Sequence, residues 1–281
     1  MSNLHIYCET GAIGDTGLSI CRSHIAMEAW GHTNTIVHTS SVFRYGNPPQ
    51  DKPYNPDCIT ILKHCDFVKD IVFECEHDKP ETIQISKKYN CRITQPIIYR
   101  EKNNILDWIN LTEYMPKEEF TGKVAIFHPV SLVNKPIKHL DDYIPEWDRC
   151  IKILIQKGFT IVMVGGVDDP IHLTMKKTTI EKTINKIGLW SQLQSLAFLL
   201  YRADVVVSCD SWGAIWGPAA RIPSAIAWGY RMENNIDWWV TGFLGNKDCY
   251  KHAWSSQKDI CDVTLANYLG QLNIKDRYVT V

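Results

Sequence analysis

Hydrophobic positions along the chain fall into short apolar runs separated by polar, glycine- or proline-bearing turns and by longer amphipathic stretches. Leu4-His5-Ile6-Tyr7-Cys8 predicts a strand, the glycine-bearing segment from Glu9 to Gly17 a loop, and Leu18 to Trp30 a helix stopping at Gly31. Thr35 to His38 predicts a second strand and completes a βαβ unit. Shorter elements follow at Cys58 to Leu62 and Ile71 to Glu74, with a helical turn around Asp66 to Asp70 and a mixed stretch from Ile83 to Tyr99. Asn47 to Pro56 carries prolines 48, 49, 53 and 56 without any helical or strand period, and predicts a mobile surface loop.

The polar, turn-rich segment Pro116 to Lys123 marks the expected boundary between an acceptor-side domain, residues 1–120, and a second domain, residues 121–281. The α/β rhythm then repeats. A strand at 124–127 precedes a polar loop at 128–142, a helix at about 145–157 and a strand from Phe159 to Val164. A Gly-Gly/Asp-Asp loop at 165–170 and a helix come next, then a helix from Ser191 to Arg202 and a strand at 204–208. Asp210-Ser211-Trp212-Gly213 is the turn into a short Ala-rich helix, and a strand at 224–228 closes the run. One helix is expected within 255–272, packing back on the first domain. Continuous apolar strands alternating with helices predict an α/β fold with parallel sheets.

Composition narrows the setting. The 281 residues are 45% hydrophobic, enough for a sizeable core without disulfide staples. Thirty basic against thirty-one acidic residues leave a formal charge of −1, which supplies no global field for nucleic acid or anionic lipid. Ten cysteines include no Cys-x-x-Cys pair and sit mostly in apolar runs, as expected for reduced thiols of a cytoplasmic protein. Neither a signal-peptide pattern nor an apolar run of membrane-spanning length occurs, so stable membrane insertion is not expected.

Candidate chemistry gathers where strands hand over to helices, the edge at which open α/β sheets bind ligands. Gly11-Ala12-Ile13-Gly14-Asp15-Thr16-Gly17 matches neither a dinucleotide fingerprint nor a P-loop. It offers close backbone approach through Gly11, Ile13, Gly14 and Thr16, and one carboxylate, Asp15, that can cap a helix or act as a general base. His128 to Lys138 places Ser131, Lys135 and Lys138 in one loop after a strand, a composition suited to a diphosphate. Gly165 and Gly166 permit another close approach, while Asp210, Ser211 and Gly213 form the turn before the Ala-rich helix. An indole such as Trp212 can stack on a base or sugar. Arg231, Glu233 and Asn234 are candidates for hydroxyl contacts. No Asp-x-Asp and no His/Cys/Asp cluster has metal spacing, so neither metal nor bound cofactor is expected.

The ordered set of Gly-x-Ile-Gly-Asp, the Ser/Lys loop, Val-Gly-Gly-x-Asp-Asp, Leu193 to Asp204, and Ser-Cys-Asp-Ser…Ala-Ala-Arg-Ile-Pro…Trp-Gly resembles the heptosyltransferase-like glycosyltransferases, family nine. The resemblance implies the GT-B fold, two Rossmann-like domains facing across a cleft, with a nucleotide-diphosphate sugar on the C-terminal domain and the acceptor on a shortened N-terminal one. It implies inverting, metal-independent transfer, with Asp15 as the base, Ser131 and Lys135 or Lys138 at the donor phosphates, and Asp210, Ser211 and Gly213 gripping diphosphate and sugar. Where the family has a glycine and a histidine, this chain has Trp212 and Ile215, a bulkier and more apolar rim. The acceptor stays open among a glycan, a protein and a modified nucleic-acid base. Two other readings also stay open: a GT-B-fold sugar-nucleotide epimerase using His128 and Glu233, and a non-catalytic sugar- or nucleotide-binding module.

Overall fold

The computed structural model describes residues 3–8, 10–45, 50–75, 104–129, 140–166, 175–209, 211–227, 250–254 and 269–270. These form two compact units that meet along the chain between Leu111 and Thr112.

The first unit begins with β1 (Asn3–Tyr7), which buries Leu4 and Ile6 and leaves the alternate positions half-buried. Helix α1 (Ile13–Ala29) starts earlier than the expected Leu18, because Ile13, Thr16 and Ile20 recur at helical spacing and are all buried. The glycine loop thereby shrinks to Gly11 and Ala12, and Gly14, Asp15, Thr16 and Gly17 become helical. Gly31, at φ +70°, ends the helix in the left-handed conformation that suits glycine. Strand β2 (Asn34–Ser40) lies parallel between β1 and β5 (Val68–Cys75). The helical turn expected at Asp66 to Asp70 is instead the entry to β5: its charged residues obscure strand character that pairing with β2 enforces.

The proline-bearing loop also differs from expectation. Gln50–Pro53 is β4, paired antiparallel with β3 (Val42–Tyr45), and Pro56 opens helix α2 (Pro56–Lys63) behind an Asn55 cap. Prolines 53 and 56 thus sit at a two-stranded edge and at a helix start, where a missing N–H is tolerated.

In the second unit, six parallel strands run in the order β11-β10-β9-β6-β7-β8. They are β6 (Lys123–His128), β7 (Phe159–Met163), β8 (Ile184–Asn185), β9 (Val205–Cys209), β10 (Ser224–Ala227) and β11 (Tyr250–Trp254). Val124 to Phe127 and Val205 to Val207 are wholly buried, as a sheet covered on both faces requires. The connecting helices are α3 (Leu140–Gln156), α4 (Lys177–Ile180), α5 (Gln192–Arg202) and α6 (Trp212–Ala219). Trp147, Ile151 and Leu154 of α3 pack with Phe127, Ile161, Met163, Val205 and Val207 to form the core. Ser191 and Gln194 close a capping box that fixes the start of α5. The segment leading into β6 is held by Arg202, which donates to the carbonyls of Phe120 and Gly122 and pairs with Asp204, itself accepting from the Val124 amide at 2.8 Å.

Mixed stretch 83–99 and most of 255–272 lie outside the described residues. Among the described residues no helix is long and apolar enough to cross a membrane, and Cys8, Cys21, Cys58, Cys65, Cys150 and Cys209 are buried.

Candidate functional site

From β6 the chain moves outward through β7 and β8, then returns to place β9, β10 and β11 on the other side of β6. The sheet therefore has a topological switch between β6 and β9, the place where the carboxyl ends of parallel strands open a ligand crevice. His128 ends β6 and stands in register with Ser208 of β9. Helix α6 begins four residues beyond Ser208, so its first N–H groups add to this edge.

Small residues permit the close seat of α6. A Cβ on Gly213 would come within 2.8 Å of Ser208 Oγ, and one on Gly217 within 2.6 Å of Ser224 Oγ. Ser211 occupies the N-cap position, yet its side chain makes no capping hydrogen bond. A purely structural cap there is thus not observed, and the hydroxyl stands beside the first turn of α6. Trp212 is half-buried, its ring centroid 5.0 Å from that of His128 at an interplanar angle of 35°. Burial alone pushes the His128 imidazole down to about 4, so it is neutral at physiological pH.

The first unit presents a second polar edge. Thr10 and Thr39, both fully buried, share a hydrogen bond of 2.8 Å, and Thr39 donates to the Cys8 carbonyl at 2.8 Å. The Asn55 amide donates to the Thr10 carbonyl at 2.9 Å, which ties the entry of α2 to the turn before α1. Asp15 lies in the first turn of α1 and is half-buried; the N-cap is Ala12, so the carboxylate is not the cap. It sits at the end of the helix where the dipole is positive. Thr16 donates to the Ala12 carbonyl at 3.1 Å. Cys58 is no nucleophile, since burial pushes its thiol up to about 12 against a smaller opposing effect of the Thr16 hydrogen bond.

Ser211, Trp212 and Gly213 are thus together at the β6–β9 edge, and Gly165 and Gly166 follow β7, one strand along from β6. Gly11 lies in the turn before α1, and Ile13, Gly14, Asp15 and Thr16 lie in its first turn. Ser131, Lys135, Lys138, Asp210, Arg231, Glu233 and Asn234 lie outside the described residues. Sequence reasoning passed over the His128–Ser208 pair and the Thr10–Thr39 pair. The signal available for the first was a polar residue ending each of two apolar strands, β6 and β9. Among the described residues no group of three His, Cys, Asp or Glu side chains is placed to share a metal ion.

Two Rossmann-like α/β units in one chain, the second with its switch between β6 and β9, define the GT-B fold class. No protein-family model matches the sequence, and no curated protein matches it. Among solved structures, the chain is similar to a glycosyl transferase of family 9 from Veillonella parvula at 13% identity and TM-score 0.55, over 97% of this chain and 92% of that one. It is similar to the ADP-heptose lipopolysaccharide heptosyltransferase II of E. coli at 12% identity and TM-score 0.59, over 96% of each chain. An E. coli heptosyltransferase solved with ADP matches at 11% identity and TM-score 0.51, over 87% of this chain and 92% of that one. The likeness is one of fold.

Proposed function

We propose that this protein is a glycosyltransferase that moves a sugar from a nucleotide-diphosphate donor to an acceptor hydroxyl. The observation that carries the reading is fold similarity over 96% of both chains to an enzyme described by its ADP-heptose substrate. The β6–β9 switch, with α6 opening beside it, supports donor binding in the second unit. Ser211, Trp212 and Gly213 contact the donor there, with Gly165 and Gly166 admitting it closely and Ser131, Lys135, Lys138, Asp210, Arg231 and Glu233 completing its recognition.

Transfer proceeds with inversion and without metal. Asp15 removes the proton of the acceptor hydroxyl, the oxygen attacks the anomeric carbon, and the bond to the diphosphate breaks with its electron pair leaving on the phosphate oxygen. Gly11, Ile13, Gly14 and Thr16 shape the acceptor side. Cationic and N–H groups stabilise the departing nucleoside diphosphate. The protein works in the cytoplasm without membrane insertion, in keeping with cysteines such as Cys58 and Cys65 that are buried in its apolar interior.

A thermal-shift panel of nucleoside diphosphates and nucleotide sugars tests the donor assignment. A true donor at a hundred times its Kd adds about 2.7 kcal/mol, which raises the midpoint by about 5–10 °C. Trp212→Ala should lose most of that shift. No shift with any member of the panel contradicts the assignment.

A further inference from the structure

The Thr39 hydroxyl, near the end of β2, holds two points of the turn that leads from β1 into α1. It donates its single proton to the Cys8 carbonyl at 2.8 Å, because a carbonyl oxygen can only accept. Its contact with the Thr10 hydroxyl, also 2.8 Å, is therefore made through a lone pair, and Thr10 is the donor there. One side chain of β2 thus staples positions 8 and 10, and both threonines are fully buried. From the other side the Asn55 amide, at the cap of α2, donates to the Thr10 carbonyl at 2.9 Å. Helix α1 does not fix its own start in this way. Its N-cap is Ala12, which makes no side-chain capping bond, and Asp15 follows three residues later.

We infer that Thr39 is a positioning residue for Asp15: its hydroxyl, together with the Asn55 amide, fixes the turn from which the first turn of α1 presents the carboxylate to the acceptor. The inference rests on the reading of Asp15 as the base and adds what keeps that base within reach. Burial withholds the Thr39 hydroxyl from any substrate, so it acts through the backbone that it holds. A general base works only within hydrogen-bond distance of the proton it takes, and a displacement of about 1 Å costs up to about a hundredfold in rate.

Release of nucleoside diphosphate from ADP-heptose, ADP-glucose, GDP-glucose and UDP-glucose, with water in the acceptor's place, supplies the turnover that tests this. Thr39→Val keeps the shape of the side chain and removes the hydroxyl, so turnover should fall about ten- to a hundredfold while calorimetric donor affinity stays within about twofold. Thr39→Ser keeps the hydroxyl and should hold turnover within about threefold of wild type. The decisive comparison adds Thr39→Val to Asp15→Asn. With the carboxylate already gone, the second change should slow turnover by less than about twofold. A merely structural threonine would slow both backgrounds alike. Wild-type turnover in Thr39→Val, or losses that multiply in the double variant, overturn the inference and leave Asp15 as the base. Turnover in Asp15→Asn equal to wild type, or no release by wild type from any of the four donors, overturns the base reading, and the inference falls with it. Should Thr39→Val fail to fold, Thr10→Val carries the same comparison, since it removes the donor to Thr39 and leaves the bond to the Cys8 carbonyl in place.

Discussion

Replacing Gly213 by Ala tests how α6 is seated on the sheet. The added Cβ would lie 2.8 Å from Ser208 Oγ, 3.0 Å from Ser208 Cβ and 3.6 Å from Val206 Cγ1. Ser208 is wholly buried and its hydroxyl is held by the Cys209 carbonyl, so the clash is not relieved by swinging a free side chain away. Overpacking of this kind costs about 1–3 kcal/mol. Against it stands a gain of up to about 1 kcal/mol from replacing glycine in a helix. The net expectation is a loss of about 1–2 kcal/mol, or a midpoint lowered by about 2–8 °C in differential scanning calorimetry. Pairing the change with Ser208→Ala removes the nearest atom but leaves the Cβ contact, so the two substitutions should couple by about 1 kcal/mol. A Gly213→Ala protein that melts at or above wild type, or strict additivity with Ser208→Ala, would refute the close seating.

Other expectations concern different parts of the molecule. Gly158 has φ +79° with open space around it, so Gly158→Ala should cost about 1–2 kcal/mol in chemical denaturation from backbone strain alone. Asp204→Ala deprives both Arg202 and the buried Val124 amide of a partner, and should cost about 3 kcal/mol, read as a lowered denaturation midpoint. His128 has a folded value near 4 against an ordinary 6.5, so the unfolded chain binds the extra proton first as pH falls. Its stabilisation is complete above about pH 6.5 and is lost progressively down to about pH 4. His128→Phe should flatten that part of the stability profile, measured as denaturation midpoint against pH, and an unchanged slope contradicts the buried neutral imidazole.

What the sequence reveals of this fold follows the strength of local pattern. The wholly apolar runs of β6 and β9 announce buried parallel strands, and Ser191 with Gln194 announces the start of α5. The onset of α1 is hidden because Gly14 and Gly17 are poor helix formers, while the buried spacing of Ile13, Thr16 and Ile20 overrides them. Strand β8 has two residues, too few for any period, and β4 carries Pro53, so pairing rather than propensity makes both. At the site, the turn residues Ser211 to Gly213 are visible as a local motif. The His128–Ser208 pair is not, since 80 positions of chain separate two residues that only the β6–β9 pairing brings together.

Release of nucleoside diphosphate from the donor selected by binding, followed with acceptor present and absent, tests the central claim most directly when wild type and Asp15→Asn are compared. The account predicts acceptor-dependent release by wild type, and a fall of about a hundredfold or more in turnover for Asp15→Asn with donor affinity unchanged. Equal turnover in the two proteins would contradict Asp15 as the base, and no transfer by wild type from any donor it binds would contradict the glycosyltransferase reading itself.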